Sequence, residues 1–217
     1  YPVPVLDSSP LALQRSGLVE YEDALAIQRT IHSEVSSGLR PNTLILLEHP
    51  SIYTAGKRTL DEERPGNGAK VLDVDRGGKI TWHGPGQLVG YPIVRLSNPH
   101  ELVGFVREIE AGLIKVCAEF GITGVRVEGR SGVWIVDEKG ERKVAAIGIR
   151  VASGTSMHGF ALNVNPDLSA FDAIVPCGIS DAAVTSLAIE LGRDITIEEV
   201  SPVVEKYLYE ALTKVSA

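Results

Sequence analysis

Cys177 is the residue whose setting first suggests chemistry. It lies in Ile174-Val-Pro-Cys-Gly-Ile179, between a proline that stiffens the approach and a glycine without a side chain. A thiol there would head a turn, with the backbone N–H groups of Gly178 and Ile179 free to face a substrate oxyanion. That arrangement suits nucleophilic attack through sulfur; the plain alternative is a small buried loop residue. A free thiol has a pKa of ~8.5 and needs help at neutral pH. The helpers available are nearby lysines and arginines and five histidines: His32, His49, His83, His100 and His158. His32 falls on a helical pattern, His100 near a helix start and His49 at a strand end before Pro50, so His83 stands apart. It belongs to Asp75-Arg-Gly-Gly-Lys-Ile-Thr-Trp-His-Gly-Pro-Gly-Gln87 and shares a strand face with Thr81. Gly77 and Gly78 open backbone conformations closed to other residues and allow close approach to a ligand. As bare composition such a string is most often just a turn, and it matches neither phosphate-loop pattern.

The elements that must position these residues follow from periodicity. Glu20–Ser37 repeats apolar residues at helical spacing and stops at Gly38. Thr43–Glu48, bracketed by Pro41 and Pro50, reads as a buried strand, and 51–70 as a long loop of the kind that binds. Val71–Asp75 and Gln87–Leu96 read as strands. A helix is predicted over Pro99–Phe120, with Asn98 as N-cap, Gly121 as stop and Cys117 on its apolar stripe, so that Cys117 reads as core. Strands follow at Val125–Glu128, Gly132–Val136 and Val144–Val151, the last two joined by the turn Asp137–Gly140, then at Met157–Asn165. Helices are expected at Ala183–Leu191 and Thr196–Lys214, the latter opened by a Thr196…Glu199 capping box. Strands and helices mixed without regular alternation predict one α+β domain spanning 1–217, a mixed β-sheet with packed helices.

Composition narrows the partners. The net charge is −7, which argues against nucleic acid. Residues 166–217 carry three basic and nine acidic side chains, so the rest of the chain is close to neutral and can hold a locally basic surface. Lys57, Arg58, Arg64, Lys79, Arg130, Arg142 and Arg150 are candidates for it. No apolar run reaches the ~20 residues of a membrane span, and Tyr1–Pro10 lacks the basic start and apolar core of a secretory signal. Two cysteines form no disulfide framework and lack metal-ligand spacing, so a reduced, cytoplasmic setting without a metal is expected.

Four blocks in order carry a family resemblance. They are Arg76-Gly-Gly-x-x-Thr-x-His-x-Pro-Gly-Gln87 followed by Tyr91-Pro92, Lys143-Val-Ala-Ala-Ile-Gly148, His158-Gly-Phe-Ala-Leu-Asn-Val-Asn165 and Pro176-Cys-Gly-Ile179. Together the sequence resembles the bacterial lipoyl(octanoyl) transferases of the biotin/lipoate protein ligase-like superfamily. The resemblance implies that superfamily's fold, no metal or ATP, and acylation of Cys177 with Lys143 as its activator; without it, Lys143 reads as a solvated lysine after a hairpin. It implies an acyl pocket made from Arg76, Gly77, Gly78, Lys79, Ile80, Thr81, Trp82 and His83, from Ala146, Ile147 and Gly148, and from Gly159, Phe160 and Ala161. The donor it implies is octanoyl-acyl carrier protein. The acceptors are lipoyl domains of 2-oxoacid dehydrogenase E2 subunits and the glycine cleavage H protein. Burying an eight-carbon tail would supply about 5 kcal/mol. The competing expectations are an ATP-dependent lipoate or biotin ligase on the same fold, a cysteine thioester hydrolase using His83 or His158, and a protein that only binds lipoyl domains.

Overall fold

A computed structural model describes residues 10–66, 68–174 and 183–217. The main sheet is ordered β1 (Leu11–Leu18), β2 (Asn42–Glu48), β6 (Gln87–Ile93), β10 (Thr155–Asn163), β9 (Gly140–Ala152), β8 (Arg130–Asp137) and β7 (Val125–Val127), with β11 (Ala183–Val184) also paired to β9. Its pairings are antiparallel except β1 with β2 and β11 with β9, so the sheet is mixed. A smaller sheet is ordered β4 (Val71–Asp73), β3 (Ile52–Ala55) and β5 (Thr81–His83).

Both faces of the main sheet are covered, which is why Leu44–Leu47 of β2 are apolar without alternating. Leu44 and Leu46 of β2, with Leu88 of β6, pack against α2 (Leu102–Glu119) and α4 (Ile197–Thr213) through Phe105, Ile109, Leu113, Val204 and Leu208. Ile45, Leu47, Val89, Tyr91 and Ile93 point the other way, onto Ala24, Ile31 and Val35 of α1 (Tyr21–Ser36). On this second face the segment from Arg76 to His83 lies over β9 and β10, held by the Gly77 N–H donating to the Ile149 carbonyl at 3.2 Å. Cys117 is fully buried in the α2–α4 core, and burial pushes its thiol up to about 12, which removes it as a nucleophile.

Four expectations need correction. β1 was not anticipated; its apolar alternation is weak because it is an edge strand paired on one side only. The 51–70 loop contains β3 and a 3-10 turn at Asp61–Glu63. The α2 helix starts at Leu102, not Pro99, because the Asn98 carboxamide oxygen accepts the His100 N–H and closes a turn ahead of it. In Ala183–Leu191 the first two residues pair with β9, and only α3 (Leu187–Leu191), capped by Ser186, is helical. The anticipated capping box on α4 is half present. Thr196 accepts from the Glu199 N–H, but the Glu199 carboxylate turns to Arg193 at 2.8 Å.

Candidate active site

A cavity of about 240 Å³ opens on the α1 face of the sheet, between β6, β9 and β10 below and the Arg76–His83 segment above. The sheet contributes Val89, Tyr91, Lys143, Ala146, Ile147, Gly148, Gly159, Phe160 and Ala161; the covering segment contributes Arg76, Gly78, Lys79, Thr81 and His83. Alternation in β5 sorts the remaining expected residues. Ile80 and Trp82 turn away from the cavity and pack with Tyr53, Phe171 and Ile174. Gly77 backs the wall through its bond to β9.

Glycine is required here by close approach. A Cβ on Gly159 would lie 1.9 Å from the Gly90 carbonyl oxygen. One on Gly148 would meet the Arg76 side chain at 3.1 Å and the Gly77 carbonyl oxygen at 3.2 Å. The backbone itself therefore forms part of the slot. The Arg76 guanidinium is buried and donates to the carbonyls of Thr54 (2.7 Å), Gly77 (3.0 Å) and Lys79 (2.8 Å) and to the Thr54 hydroxyl (2.9 Å). It holds the Gly-rich turn closed over the small sheet.

Lys143 enters the cavity through a register irregularity. β9 pairs Lys143 with Trp134 but Ala145 with Val133, so β9 carries one extra residue. Strict alternation would put Lys143 opposite Ala146 and Gly148. The bulge instead lets Val144 and Ala145 both enter the core while Lys143, Ala146 and Gly148 face the cavity. The Lys143 side chain is buried, with its ammonium 4.6 Å from the centre of the Trp134 ring. It is not the solvated lysine that its position after a hairpin suggested.

Cys177 lies outside the described residues, as do Gly178 and Ile179. The chain on either side is described. Ile174 is buried beside Trp82 and Phe171, and Val184 pairs with Lys143 itself. The Thr185 N–H donates to the Lys143 carbonyl at 3.0 Å.

The histidines separate clearly. His83 is buried, with Nδ1 2.8 Å from Gln87 Oε1 and Nε2 3.4 Å from the Thr54 hydroxyl. Desolvation, then the neighbouring His49, lowers its pKa to about 3, so it is neutral at physiological pH. His49 donates from Nδ1 to the Val19 carbonyl at 2.7 Å and accepts from the Tyr91 hydroxyl at 2.6 Å; burial lowers its pKa to about 4. His158 also faces the cavity, with Nε2 2.7 Å from Asp75, which in turn pairs with Arg150. Burial lowers the His158 pKa, partly offset by Asp75. Its backbone φ of 59° is uncommon for a residue with a side chain, and such outliers gather at binding sites. His32 bonds the Ala152 and Thr155 carbonyls away from the cavity, and His100 is exposed. Sequence reasoning missed Tyr21, Arg58, Trp134 and Ser131 around the site. Tyr91 had no expected role, and His158 was expected only as a base in the hydrolase alternative.

Among the described residues, no group of three or more His, Cys, Asp or Glu is placed to hold a metal ion. No described helix is long and apolar enough to cross a membrane.

This architecture is found in solved structures. It superposes on a bi-partite lipoate protein ligase from Thermoplasma acidophilum with a TM-score of 0.76 at 18% identity, covering 93% of this chain and 83% of that one. A biotin protein ligase from Aquifex aeolicus gives 0.54 at 18% identity, over 94% and 71%. The fold is thus the catalytic fold shared by lipoate and biotin protein ligases. The family model for the lipoyl protein ligase A/B catalytic domain matches residues 20–209, and the chain belongs to that family. It is 60% identical to an octanoyltransferase from Salinispora tropica, over 91% of this chain and 94% of that protein. It is 59% identical to an octanoyltransferase from Acidothermus cellulolyticus, over 93% and 92%. The protein is an enzyme of the acyltransferase class.

Proposed function

We propose that the protein transfers an octanoyl group from octanoyl-acyl carrier protein to the amine of a specific lysine on lipoyl domains, through a thioester on Cys177. The observation that carries this reading is Lys143, a buried lysine in a backbone-lined slot, paired with the strand that follows Cys177 in a chain 60% identical to an octanoyltransferase. In the first half-reaction the Cys177 thiolate attacks the octanoyl carbonyl. The carbon–sulfur bond to the carrier breaks, and the carrier leaves as a thiol after taking a proton from the Lys143 ammonium, which becomes a neutral amine. In the second, the acceptor lysine amine attacks the acyl-enzyme. A carbon–nitrogen bond forms, the bond to Cys177 breaks, and the amine's proton passes to the now neutral Lys143, which restores the thiolate–ammonium pair. No nucleotide is consumed, because one thioester is exchanged for another and the amide product lies downhill. Covalent catalysis splits the transfer into two easier steps. The acceptors are lipoyl domains of 2-oxoacid dehydrogenase E2 subunits and the glycine cleavage H protein, and the setting is the cytoplasm.

Intact-mass spectrometry after incubation with octanoyl carrier protein, without acceptor, tests the reading. The expected result is one octanoyl adduct, labile to hydroxylamine and mapped to Cys177, absent in Cys177→Ala and present in Cys117→Ala. An adduct on Cys117, or lipoyl-domain modification that requires ATP and free octanoate, would overturn it.

A further inference from the structure

A single chain of hydrogen bonds runs from the covering segment of the cavity to the backbone of Lys143. Arg76 Nη2 donates to the Thr54 hydroxyl at 2.9 Å, and Thr54 donates to His83 Nε2 at 3.4 Å. His83 Nδ1 donates to Gln87 Oε1 at 2.8 Å, and Gln87 Nε2 donates to Asn163 Oδ1 at 2.9 Å. Asn163 Nδ2 donates to the Thr185 carbonyl at 2.9 Å, and the Thr185 N–H donates to the Lys143 carbonyl at 3.0 Å. Every link points the same way. The direction is forced from the carbonyl end: the Thr185 carbonyl can only accept, so Asn163 donates from Nδ2, Gln87 from Nε2 and His83 from Nδ1. That forces the His83 proton onto Nδ1 and leaves Nε2 as an acceptor, so His83 serves as a connector. Thr54, His83, Gln87, Asn163 and Thr185 are all buried, where an unmade bond is costly and aligned bonds reinforce one another.

The far end of the chain holds an element that cannot hold itself. β11 has two residues, Ala183 and Val184, set opposite Arg142 and Lys143. A parallel pairing this short gains its order from what clamps it. The clamps are the Asn163 carboxamide on the Thr185 carbonyl and the Thr185 hydroxyl on Glu190, whose carboxylate pairs with Arg142. We infer that Gln87 and Asn163 are positioning residues for acyl transfer: the relay through them sets where β9 presents Lys143 to the cavity. Among the described residues, neither side chain hydrogen-bonds the Lys143 ammonium. They act through the backbone beside Lys143, and they tie its placement to the segment that covers the acyl slot. This inference rests on the Lys143-assisted transfer proposed above.

Two near-isosteric variants each cut one link. Asn163→Asp still accepts from Gln87 but cannot donate to Thr185. Gln87→Glu still accepts from His83 but cannot donate to Asn163. Each should lower kcat about tenfold or more, with KM for a small octanoyl thioester changed less than about threefold. In a Lys143→Met background neither should cost anything further, because the residue being positioned is gone. Thermal unfolding confirms that each variant is folded at the assay temperature, and either one carries the test alone. On the unmodified enzyme, the Thr185 amide should exchange with solvent as slowly as the central strands. The inference is overturned by wild-type kcat in the folded variants, by losses that multiply fully with Lys143→Met, or by fast exchange at Thr185. If Lys143→Met itself turns over like wild type, the role of Lys143 in the proposed function fails instead.

Discussion

The Lys143 side chain is packed against an aromatic ring at the edge of the cavity, and its two proposed duties can be separated by substitution. Lys143→Met removes the charge and should slow alkylation of Cys177 near neutral pH about tenfold for each unit by which the thiol pKa rises. Lys143→Arg keeps the charge but cannot take up a proton, so thiol reactivity should partly survive while transfer to the acceptor lysine collapses. A Met variant with an unchanged alkylation profile and normal turnover would remove Lys143 from the chemistry. His83 and His49 make a prediction about stability. Their folded pKa values, about 3 and about 4, lie below the ordinary 6.5, so between these limits the unfolded chain binds more protons than the native one. Their contribution is complete above pH ~6.5 and is lost as pH falls toward 4 and 3. Denaturant unfolding at pH 7.5, 5.5 and 4.5 should show stability falling by at least about 2 kcal/mol across the series. A flat profile would mean that one or both rings are solvated.

At the scale of the elements, the slot depends on strands that approach without side chains between them. Gly159→Ala drives a methyl into the Gly90 carbonyl of the neighbouring strand. It should destabilise the protein by about 3 kcal/mol or more, read as a fall in Tm, because neither backbone can move without breaking the β6–β10 ladder. Gly148→Ala is different in kind. Its methyl would press on the Arg76 side chain and the Gly77 carbonyl, which belong to the covering segment. The enzyme should stay folded and shift its preference toward shorter acyl chains by roughly tenfold, read from hexanoyl and octanoyl donors in competition. An unchanged ratio would show that the covering segment yields freely, and that the slot is bounded elsewhere.

Across the whole molecule, charge bears on where the acidic carrier or lipoyl domain of the proposed reaction would dock. Of the seven basic residues expected on a docking face, five are engaged by acids. Arg64 pairs with Asp73, Lys79 with Glu63, Arg130 with Glu141, Arg142 with Asp137 and Glu190, and Arg150 with Asp75. Lys57 and Arg58 are exposed with no ion pair among the described residues, and Arg58 reaches the cavity wall. The docking patch is therefore narrower than a count of positive side chains suggests. Lys57→Glu should raise KM for octanoyl carrier protein about tenfold and weaken its salt dependence, while leaving a small octanoyl thioester unaffected. Equal effects on both donors would place the carrier elsewhere.

The family, the α+β class, most strands and helices, and the blocks from which the cavity is built were legible before folding. Those features are written in local periodicity and in ordered motifs. Which of those residues meet depends on contacts made in the folded chain. His83 looked like a base in waiting, and burial beside His49 with a forced Nδ1 proton makes it a neutral connector. Ile80 and Trp82 sit in the same motif as Thr81 but serve a separate core, because a strand sends alternate side chains to opposite faces. Lys143 reaches the cavity only because β9 gains one residue against β8, and a bulge leaves no trace in a hydrophobic pattern that continues on both sides of it. β11 reads as helix because two residues carry no period, and their pairing is chosen by a partner 41 positions away. Each of these outcomes depends on contacts between segments distant in sequence, and local pattern holds no information about them until the chain has folded.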